Sequence, residues 1–240
     1  MNITITIFLL CYNEELLISF TLKHYRDRFP TAKFVLVDNY STDRSCEIAK
    51  ENGMEIRQFE SSNCQNEETM MHIRNNIWND ITSGWVIMCD MDEWLEITEK
   101  DLINEEEKGT TIITTKGYNI IGNSKTTDLS DIDLFTLNEG MEDNNFSKRI
   151  LFKVPDVRIN FWWGAHVCHP AGNVNYSEKI YNLKHMNYLG ADYLVEKHRK
   201  RYERNELMRY RGMNKHYSNE RDNVINYFND LYNRRYILST

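Results

Sequence analysis

The sequence predicts an α/β fold in which a mainly parallel central sheet is flanked by helices. Through the first half of the chain, short apolar runs alternate with segments of helical periodicity. Polar clusters with the sequences CYNEE, DNYSTD and DMDE follow the first, second and fourth apolar runs. Strand and helix in alternation produce a parallel sheet covered on both faces, and such sheets bind ligands outside the carboxyl ends of their strands.

The apolar runs of the first half predict strands over residues 3–10, 34–37, 55–59 and 85–89. The helical patterns between them cover residues 14–28, 43–52 and 67–81. The second half is less regular. Its composition predicts a β-rich segment over 110–121, a polar loop over 126–145, strands over 149–154 and 181–184, a turn over 185–190 and helix from 192 onward.

The composition indicates one domain with a full hydrophobic core, since 41% of the 240 residues are hydrophobic. The net charge of −7 argues against a nucleic-acid partner. The five cysteines are scattered without a CxxC pair, which is typical of reduced cytosolic thiols. The apolar start lacks a basic leader region and is too short to cross a bilayer, so the sequence predicts a soluble, cytoplasmic protein.

The acidic cluster after the fourth apolar run carries the clearest chemical signal. Residues 85–89 are almost wholly apolar, and Asp90, Asp92 and Glu93 follow at once. Alternation along an extended segment puts Asp90 and Asp92 on one side, in the ligand crevice. Paired carboxylates suit Mg²⁺ or Mn²⁺ shared with substrate phosphates. The alternative is a solvated acidic turn, because an isolated DxD is common by chance.

Two further polar residues are candidates for nucleotide contacts. Asp38 ends the second apolar run, where a carboxylate can accept a hydrogen bond from a base or ribose. Asp43 is the better helix cap, which frees Asp38 for that task. Arg74 could reach a diphosphate with its forked guanidinium, although an ordinary surface arginine is favoured from the residues alone.

The segment RINFWWGAHVCHPAG suggests an acceptor site. Trp162, Trp163 and His166 lie beside a glycine at the edge of a predicted strand, where aromatic rings can stack on a sugar. A buried core corner is an equally good interpretation of the two tryptophans.

The predicted helix from 192 onward is dense in basic residues, with glutamates at helical spacing among them. A solvated face is the favoured interpretation of this pattern, because the glutamates can pair with the basic side chains along the helix. Peripheral contact with an anionic membrane surface is the alternative.

Four motifs in this order, FLLCYNEE, LVDNYSTDRS, IRNNIWND and VIMCDMDEWL, resemble the glycosyltransferase family 2-like enzymes of the GT-A fold. The likeness covers residues 1–100. The later pieces SKRILFK, GAHVCHP and YNLKHMNYLGADYLVEKHRKRYERN are similar to the carboxyl-terminal part of small bacterial and viral members, whose DxD motif continues into an acid as it does here. This resemblance implies one GT-A domain, with a nucleotide-sugar half over 1–100, an acceptor half over 101–190 and terminal helices over 191–240.

The resemblance implies the roles of the site residues. Those assigned to the donor are Tyr12, Asn13, Glu14, Asp38, Arg74, Asp90 and Lys148. Those assigned to Mn²⁺ or Mg²⁺ are Asp90, Asp92 and His185. Inverting members usually carry a Glu-Asp base, and the only such pair here ends in Asp143, so Asp143 and Glu93 are the catalytic candidates.

Residues and resemblance together predict a metal-dependent glycosyltransferase. It would move a sugar from a nucleotide-sugar donor, a UDP-sugar first of all, to a hydroxyl of a glycan, lipid-linked or protein acceptor. One alternative is a nucleotidyltransferase acting on sugar phosphates, which would normally carry a glycine-rich basic loop where CYNEE stands. A second is a non-catalytic module that binds nucleotide sugars or carbohydrate. The absence of GxGxxG and GxxxxGK[ST] after the first strand makes a Rossmann dehydrogenase and a P-loop kinase poor interpretations.

Overall fold

A computed structural model describes residues 3–212 and 220–238 of the chain. Its strands are β1 Ile5–Cys11, β2 Lys33–Asp38, β3 Glu55–Gln58, β4 Gly84–Asp90, β5 Glu93–Leu95, β6 Ile112–Ser124, β7 Glu139–Glu142, β8 Leu151–Val154, β9 Val157–Arg158, β10 Ala171–Gly172, β11 Tyr176–Gly190 and β12 Tyr236–Ile237. Its α-helices are α1 Ile18–Arg28, α2 Ser45–Glu51, α3 Glu67–Asn76, α4 Glu99–Glu107, α5 Ala191–Glu203, α6 Glu206–Tyr210 and α7 Arg221–Arg234. Single 3₁₀ turns cover Leu134–Thr136, Asn144–Phe146 and Trp163–Ala165.

The predicted α/β fold class is confirmed. The central strands lie in the order β3-β2-β1-β4 and are all parallel, and β8, β6, β7 and β12 extend the sheet beyond β4 through antiparallel pairs. The long strand β11 runs parallel to β6 and antiparallel to β5. In the parallel part, Cys11 pairs with Asp38 and Leu10 pairs with Asp90. This register brings the carboxyl ends of β1, β2 and β4 to one edge of the sheet.

The core forms on both faces of the sheet because side chains alternate along each strand. In β1, Ile7 and Leu9 pack toward α1, whereas Phe8 and Leu10 pack on the opposite face with β2 and α3. A third apolar cluster holds α5 and α7 against β6. Within the described ranges, no helix combines the length and apolar composition needed to span a bilayer.

Several predicted elements differ from the observed ones. Residues 185–190 form the end of strand β11 and not a turn, because they continue the pairing with β6 across two register shifts. The predicted loop over 126–145 contains strand β7, which pairs with β6 and β12. The first helix begins at Ile18, since the preceding residues turn back from the end of β1. Propensity could not reveal the two strand segments, because each depends on pairing with a strand distant in sequence.

Candidate active site

A cleft of about 830 Å³ lies over the carboxyl ends of β1 and β4. Its volume is within the range that small-molecule sites usually have. Its lining includes these residues predicted for the site: Tyr12, Asn13, Glu14, Arg74, Asp90, Asp92, Lys148, Trp163, His166 and His185. Four other predicted residues, Asp38, Glu93, Asp143 and Trp162, lie outside that lining.

Asp90 ends strand β4 between two buried cations. Arg74 Nη2 donates to Asp90 Oδ1 at 2.8 Å, and Lys148 Nζ lies 3.5 Å from Asp90 Oδ2. Burial alone would raise the pKa of Asp90, but Arg74 and Lys148 lower it to about 2. Arg74 is only 6% exposed, so the surface arginine favoured from the residues alone is wrong. Asp90 is therefore ionised and held in place from the α3 side.

Asp92 is buried within a second set of basic groups. Its Oδ2 lies 2.7 Å from Lys197 Nζ, 3.4 Å from His185 Nε2 and 3.6 Å from a terminal nitrogen of Arg201. Burial would raise the pKa of Asp92, but the ammonium group of Lys197 brings it well below its usual range. The backbone fixes this corner further, since Met186 N donates to the Asp92 carbonyl at 2.7 Å.

Glu93 lies beneath the cleft and is 1% exposed. Its Oε1 is 2.5 Å from Lys148 Nζ, and its Oε2 accepts a hydrogen bond from Asp90 N at 3.0 Å. Burial raises the pKa of Glu93 to about 7 despite the neighbouring ammonium group of Lys148. This carboxyl group cannot reach an acceptor hydroxyl in this arrangement. Its contacts fix the backbone of Asp90 and the side chain of Lys148.

His185 enters the cleft from β11. Its Nδ1 lies 2.7 Å from Oδ1 of Asn119, which pairs with it in the register of β6 and β11. The Phe146 ring stacks on the imidazole with a centroid distance of 3.8 Å. Burial lowers the pKa of His185, although Asp92 opposes the shift, so the neutral form is favoured near neutral pH.

Asp143 lies behind His185 and does not line the cleft. It caps the 3₁₀ turn Asn144–Phe146, with Oδ1 accepting from Asn145 N at 3.0 Å, and its Oδ2 accepts from Asn119 Nδ2 at 2.9 Å. The predicted role as a base in contact with the acceptor therefore does not fit this position. The polar composition around Asp143 gives no sign of this contact, because its partner Asn119 lies on strand β6, 24 residues earlier in the chain.

The turns after β1 and β2 are joined into one unit. Asn13 has a φ of 56°, and its Oδ1 accepts from Thr42 N at 2.7 Å. Asp38 accepts two hydrogen bonds from Ser41 N, at 3.1 and 3.3 Å, and another from Gln58 Nε2 at 3.2 Å. Asp38 thus supports the turn from below, whereas its neighbour Asn39 lines the cleft.

Glu14 lies in the turn after β1 and has a strongly raised pKa. It lines the cleft near Asp92 and Lys197. Burial raises the pKa of Glu14 to about 7, although Lys197 opposes that shift. A carboxyl group with a pKa near 7 can take up or release a proton at physiological pH.

The opposite wall is built by the Trp163–Ala165 turn. Gly164 has a φ of 65°, and its N–H donates to Glu67 Oε2 at 3.1 Å. Trp163 and His166 line the cleft, and burial lowers the pKa of His166. Trp162 is 53% exposed and stacks on Trp163 with a centroid distance of 5.9 Å. The core interpretation is therefore wrong for Trp162, whereas Phe161 is buried.

Helix α5 contributes a cleft wall that the sequence interpretation missed. Lys197, Arg201 and Arg204 line the cleft, and Arg204 stacks on Tyr12 with 3.2 Å between its guanidinium carbon and the ring centroid. The expected pairs are also present, since the exposed Arg199 contacts both Glu196 and Glu203. The favoured interpretation of this helix as a solvated face is therefore incomplete, because three of its basic side chains line the cleft. The spacing of four and three residues between the three basic side chains marks one helix face and could have indicated this wall.

The donor atoms present fit a divalent cation in part. Asp92 Oδ2 and His185 Nε2 face each other, which is a carboxylate and imidazole pair suited to Mn²⁺. Asp90 is next to them, but both of its oxygens contact Arg74 or Lys148. Among the described residues, no group of three His, Cys, Asp or Glu side chains is arranged as a metal site. A metal would hence rely on this pair and on oxygens from a ligand.

No protein-family model matches the sequence, and no curated protein matches it. Solved structures do resemble it. TarS from S. aureus has 14% sequence identity and a TM-score of 0.51, and the match covers 96% of this chain and 44% of TarS. TarS 1-349 in complex with UDP has 14% identity and a TM-score of 0.48, with 94% and 70% covered. Glucosyl-3-phosphoglycerate synthase from Mycobacterium tuberculosis, in complex with Mn²⁺, UDP and glucosyl-3-phosphoglycerate, has 16% identity and a TM-score of 0.34, with 48% and 44% covered.

At this identity the likeness to TarS establishes the fold alone, and the chain spans less than half the length of that protein. The fold is the one that the four motifs implied. The central parallel strands, the cleft at their carboxyl ends and the likeness to TarS show that this chain has the GT-A fold.

Proposed function

We propose that the chain is a glycosyltransferase that moves a sugar from a nucleotide-sugar donor, specifically a UDP-sugar, to an acceptor hydroxyl. The observation that carries this proposal is the arrangement at the end of β4. Two acids, Asp90 and Asp92, lie in one cleft with the cations Arg74, Lys148 and Lys197. Such alternating charge suits a metal-bound diphosphate, because the acids hold the metal and the cations neutralise the phosphate oxygens.

The donor would lie along the strand ends. Tyr12, Asn13 and Glu14 would contact the nucleoside. Asp38 would contribute indirectly, by holding the turn after β2 in place through its hydrogen bonds with Ser41 N. Asp92 and His185, with Asp90 beside them, would hold Mn²⁺ or Mg²⁺, which would stabilise the charge on the leaving diphosphate. Arg74 and Lys148 would orient Asp90 and add positive charge near the phosphates.

The acceptor would lie against Trp163 and His166, with Trp162 stacked on Trp163 outside the cleft lining. Its hydroxyl oxygen would attack C1 of the donor sugar, the bond from C1 to the diphosphate oxygen would break, and a carboxylate would take the hydroxyl proton. A glycan acceptor fits the indole ring of Trp163, since aromatic faces bind sugars by apolar contact. Lipid-linked and protein acceptors carrying a sugar share this chemistry.

A donor screen tests the proposal. The purified chain is incubated with UDP-, GDP-, CMP- and dTDP-sugars and Mn²⁺, and release of nucleoside diphosphate is measured. We expect release from a UDP-sugar, and we expect Asp92→Asn to abolish it while circular dichroism at the assay temperature still shows a folded protein. Its melting temperature should fall, because the change breaks the buried ion pair with Lys197. Glu142→Gln, which changes an exposed acid outside the cleft, is the matched control.

The alternatives give different results. A nucleotidyltransferase would release pyrophosphate from a nucleoside triphosphate and a sugar phosphate. A binding module would bind donor and Mn²⁺ without turnover. Equal release by the parent and the Asp92→Asn variant would contradict the proposed role of the acidic pair.

A further inference from the structure

Three side chains form a hydrogen-bonded series that leads from the protein surface to the cleft. Asp143 Oδ2 accepts from Asn119 Nδ2 at 2.9 Å, and Asn119 Oδ1 lies 2.7 Å from His185 Nδ1. His185 Nε2 in turn faces Asp92 Oδ2 at 3.4 Å. We propose that Asp143 and Asn119 are positioning residues that fix the tautomer of His185, so that the lone pair of Nε2 points at Asp92. The consequence for metal binding rests on the proposed function.

The direction of the series follows from the chemistry of its first member. A carboxylate only accepts hydrogen bonds, so the amide group of Asn119 that faces Asp143 must be its NH₂. The carbonyl oxygen of Asn119 must then face His185, and Nδ1 must carry the proton to bond with it. Asp143 itself cannot turn freely, because its other oxygen accepts from Asn145 N at 3.0 Å.

The same short segment also fixes the plane of the imidazole ring. Phe146 belongs to the 3₁₀ turn that Asp143 caps, and its ring is inclined by only 18° to that of His185. Gly117 permits this close approach, since a Cβ atom there would lie 2.3 Å from the backbone carbon of Phe146. One segment therefore sets both the orientation of the ring and the position of its proton.

The tautomer decides what the pair of His185 and Asp92 can do. With the proton on Nε2, the imidazole would donate to Asp92 and the two groups would satisfy each other. With the proton on Nδ1, two electron pairs face each other, and a cation between or beside them is favourable. The ammonium group of Lys197 already provides one positive charge beside Asp92, 2.7 Å from its Oδ2. The series thus prepares the pair to bind a cation.

The tautomer can be measured without metal. Protein labelled with ¹⁵N-histidine is studied by long-range ¹H–¹⁵N correlation at about pH 8, above the ordinary histidine pKa. A His185→Gln variant identifies the signals of this residue. We expect the proton on Nδ1 in the parent. In Asp143→Asn the new amide can donate to Asn119, which is then free to flip, so we expect a large population with the proton on Nε2.

Exchanging the two side chains between positions 119 and 143 should restore the tautomer of His185. In the double variant Asn119→Asp with Asp143→Asn, residue 119 accepts from His185 and residue 143 donates to it, so the proton should return to Nδ1. A merely structural role of Asp143 would not produce this recovery. Glu142→Gln, a change of the adjacent exposed acid, should leave the tautomer as in the parent.

Mn²⁺ affinity in the presence of UDP is measured for the same proteins. We expect a loss of roughly tenfold or more in Asp143→Asn and recovery in the double variant, as is typical when the support of a metal ligand is removed. An unchanged tautomer in Asp143→Asn, or a proton on Nε2 in the parent, would overturn the inference. A tautomer that changes as expected while no variant affects Mn²⁺ affinity would support the positioning role and contradict the proposed metal site.

Discussion

The ammonium nitrogen of Lys197 lies 2.7 Å from Oδ2 of Asp92, although 105 residues separate them in the chain. Burial by itself would lower the pKa of Lys197, but Asp92 raises it, so the lysine is charged. The side chains of Lys197 and Asp92 are 9% and 5% exposed. An ion pair this well buried is costly to break, because the remaining charge has little water to solvate it. Helix α5 is thus coupled to the acidic end of β4.

Lys197→Met should destabilise the protein, and Mn²⁺ should offset part of the loss. In buffer with a chelator we expect a loss of roughly 1–3 kcal/mol, less than a fully isolated charge would cost, since His185 and Arg201 remain near Asp92. In the presence of Mn²⁺ the loss should be smaller, because a metal bound only by the native state stabilises it. Urea unfolding under both conditions measures the difference.

Lys50→Met is the control for this prediction, since Lys50 is exposed and lies on α2, outside the cleft lining. Its effect should be within about 0.5 kcal/mol in either buffer. If Lys197→Met loses the same stability with and without Mn²⁺, the metal does not act at Asp92.

Trp163→Ala should impair transfer to an acceptor more than hydrolysis of the donor. Trp163 lines the cleft, and loss of its ring removes apolar contact with the acceptor, so we expect a decrease in transfer of roughly tenfold, equivalent to about 1.4 kcal/mol. Donor hydrolysis should change little. The two rates are measured with the same donor preparation.

Trp162→Ala is the matched control, because this indole is exposed and lies outside the cleft lining. It should affect transfer much less than Trp163→Ala. If Trp163→Ala lowers both activities and the melting temperature together, the ring is part of the hydrophobic core and not of the acceptor site.

Glu14→Gln should change the pH dependence of stability. The raised pKa of Glu14 means that the native state keeps a proton which the unfolded chain releases above about pH 4.5. The contribution of Glu14 to stability is fully present below about pH 4.5 and is lost as the pH rises through about 7. A permanently neutral Gln removes this loss. The variant should gain stability over the parent at pH 8, by up to about 3 kcal/mol, and little at pH 4.5.

Urea unfolding at the two pH values measures this difference, with Glu51→Gln, a change of an exposed acid, as control. The prediction fails if the stability difference between Glu14→Gln and the parent is the same at both pH values.

Much of the fold could be read from the chain because the information is local. The apolar run of β4 predicts a strand buried on both faces, and the acids that follow it predict the edge of the sheet at which the cleft forms. The likeness of the four motifs to GT-A enzymes rests on the same strand ends. Arg74 was harder to interpret. A single arginine on a helix has no local sign of burial, and only the packing of α3 against β4 shows that it pairs with Asp90.

The sequence by itself determined the alternation of strands and helices, the parallel sheet and the meeting of CYNEE, DNYSTD and DMDE at one edge. It did so because hydrophobic periodicity is a local pattern, and because an alternation of strands and helices along the chain allows few topologies. The tertiary structure alone decided that α5 turns its basic face to Asp92, and that Asp143 reaches His185 through Asn119. These contacts join residues far apart in the chain, and their geometry comes from the way distant strands and helices pack against one another, which no local pattern encodes.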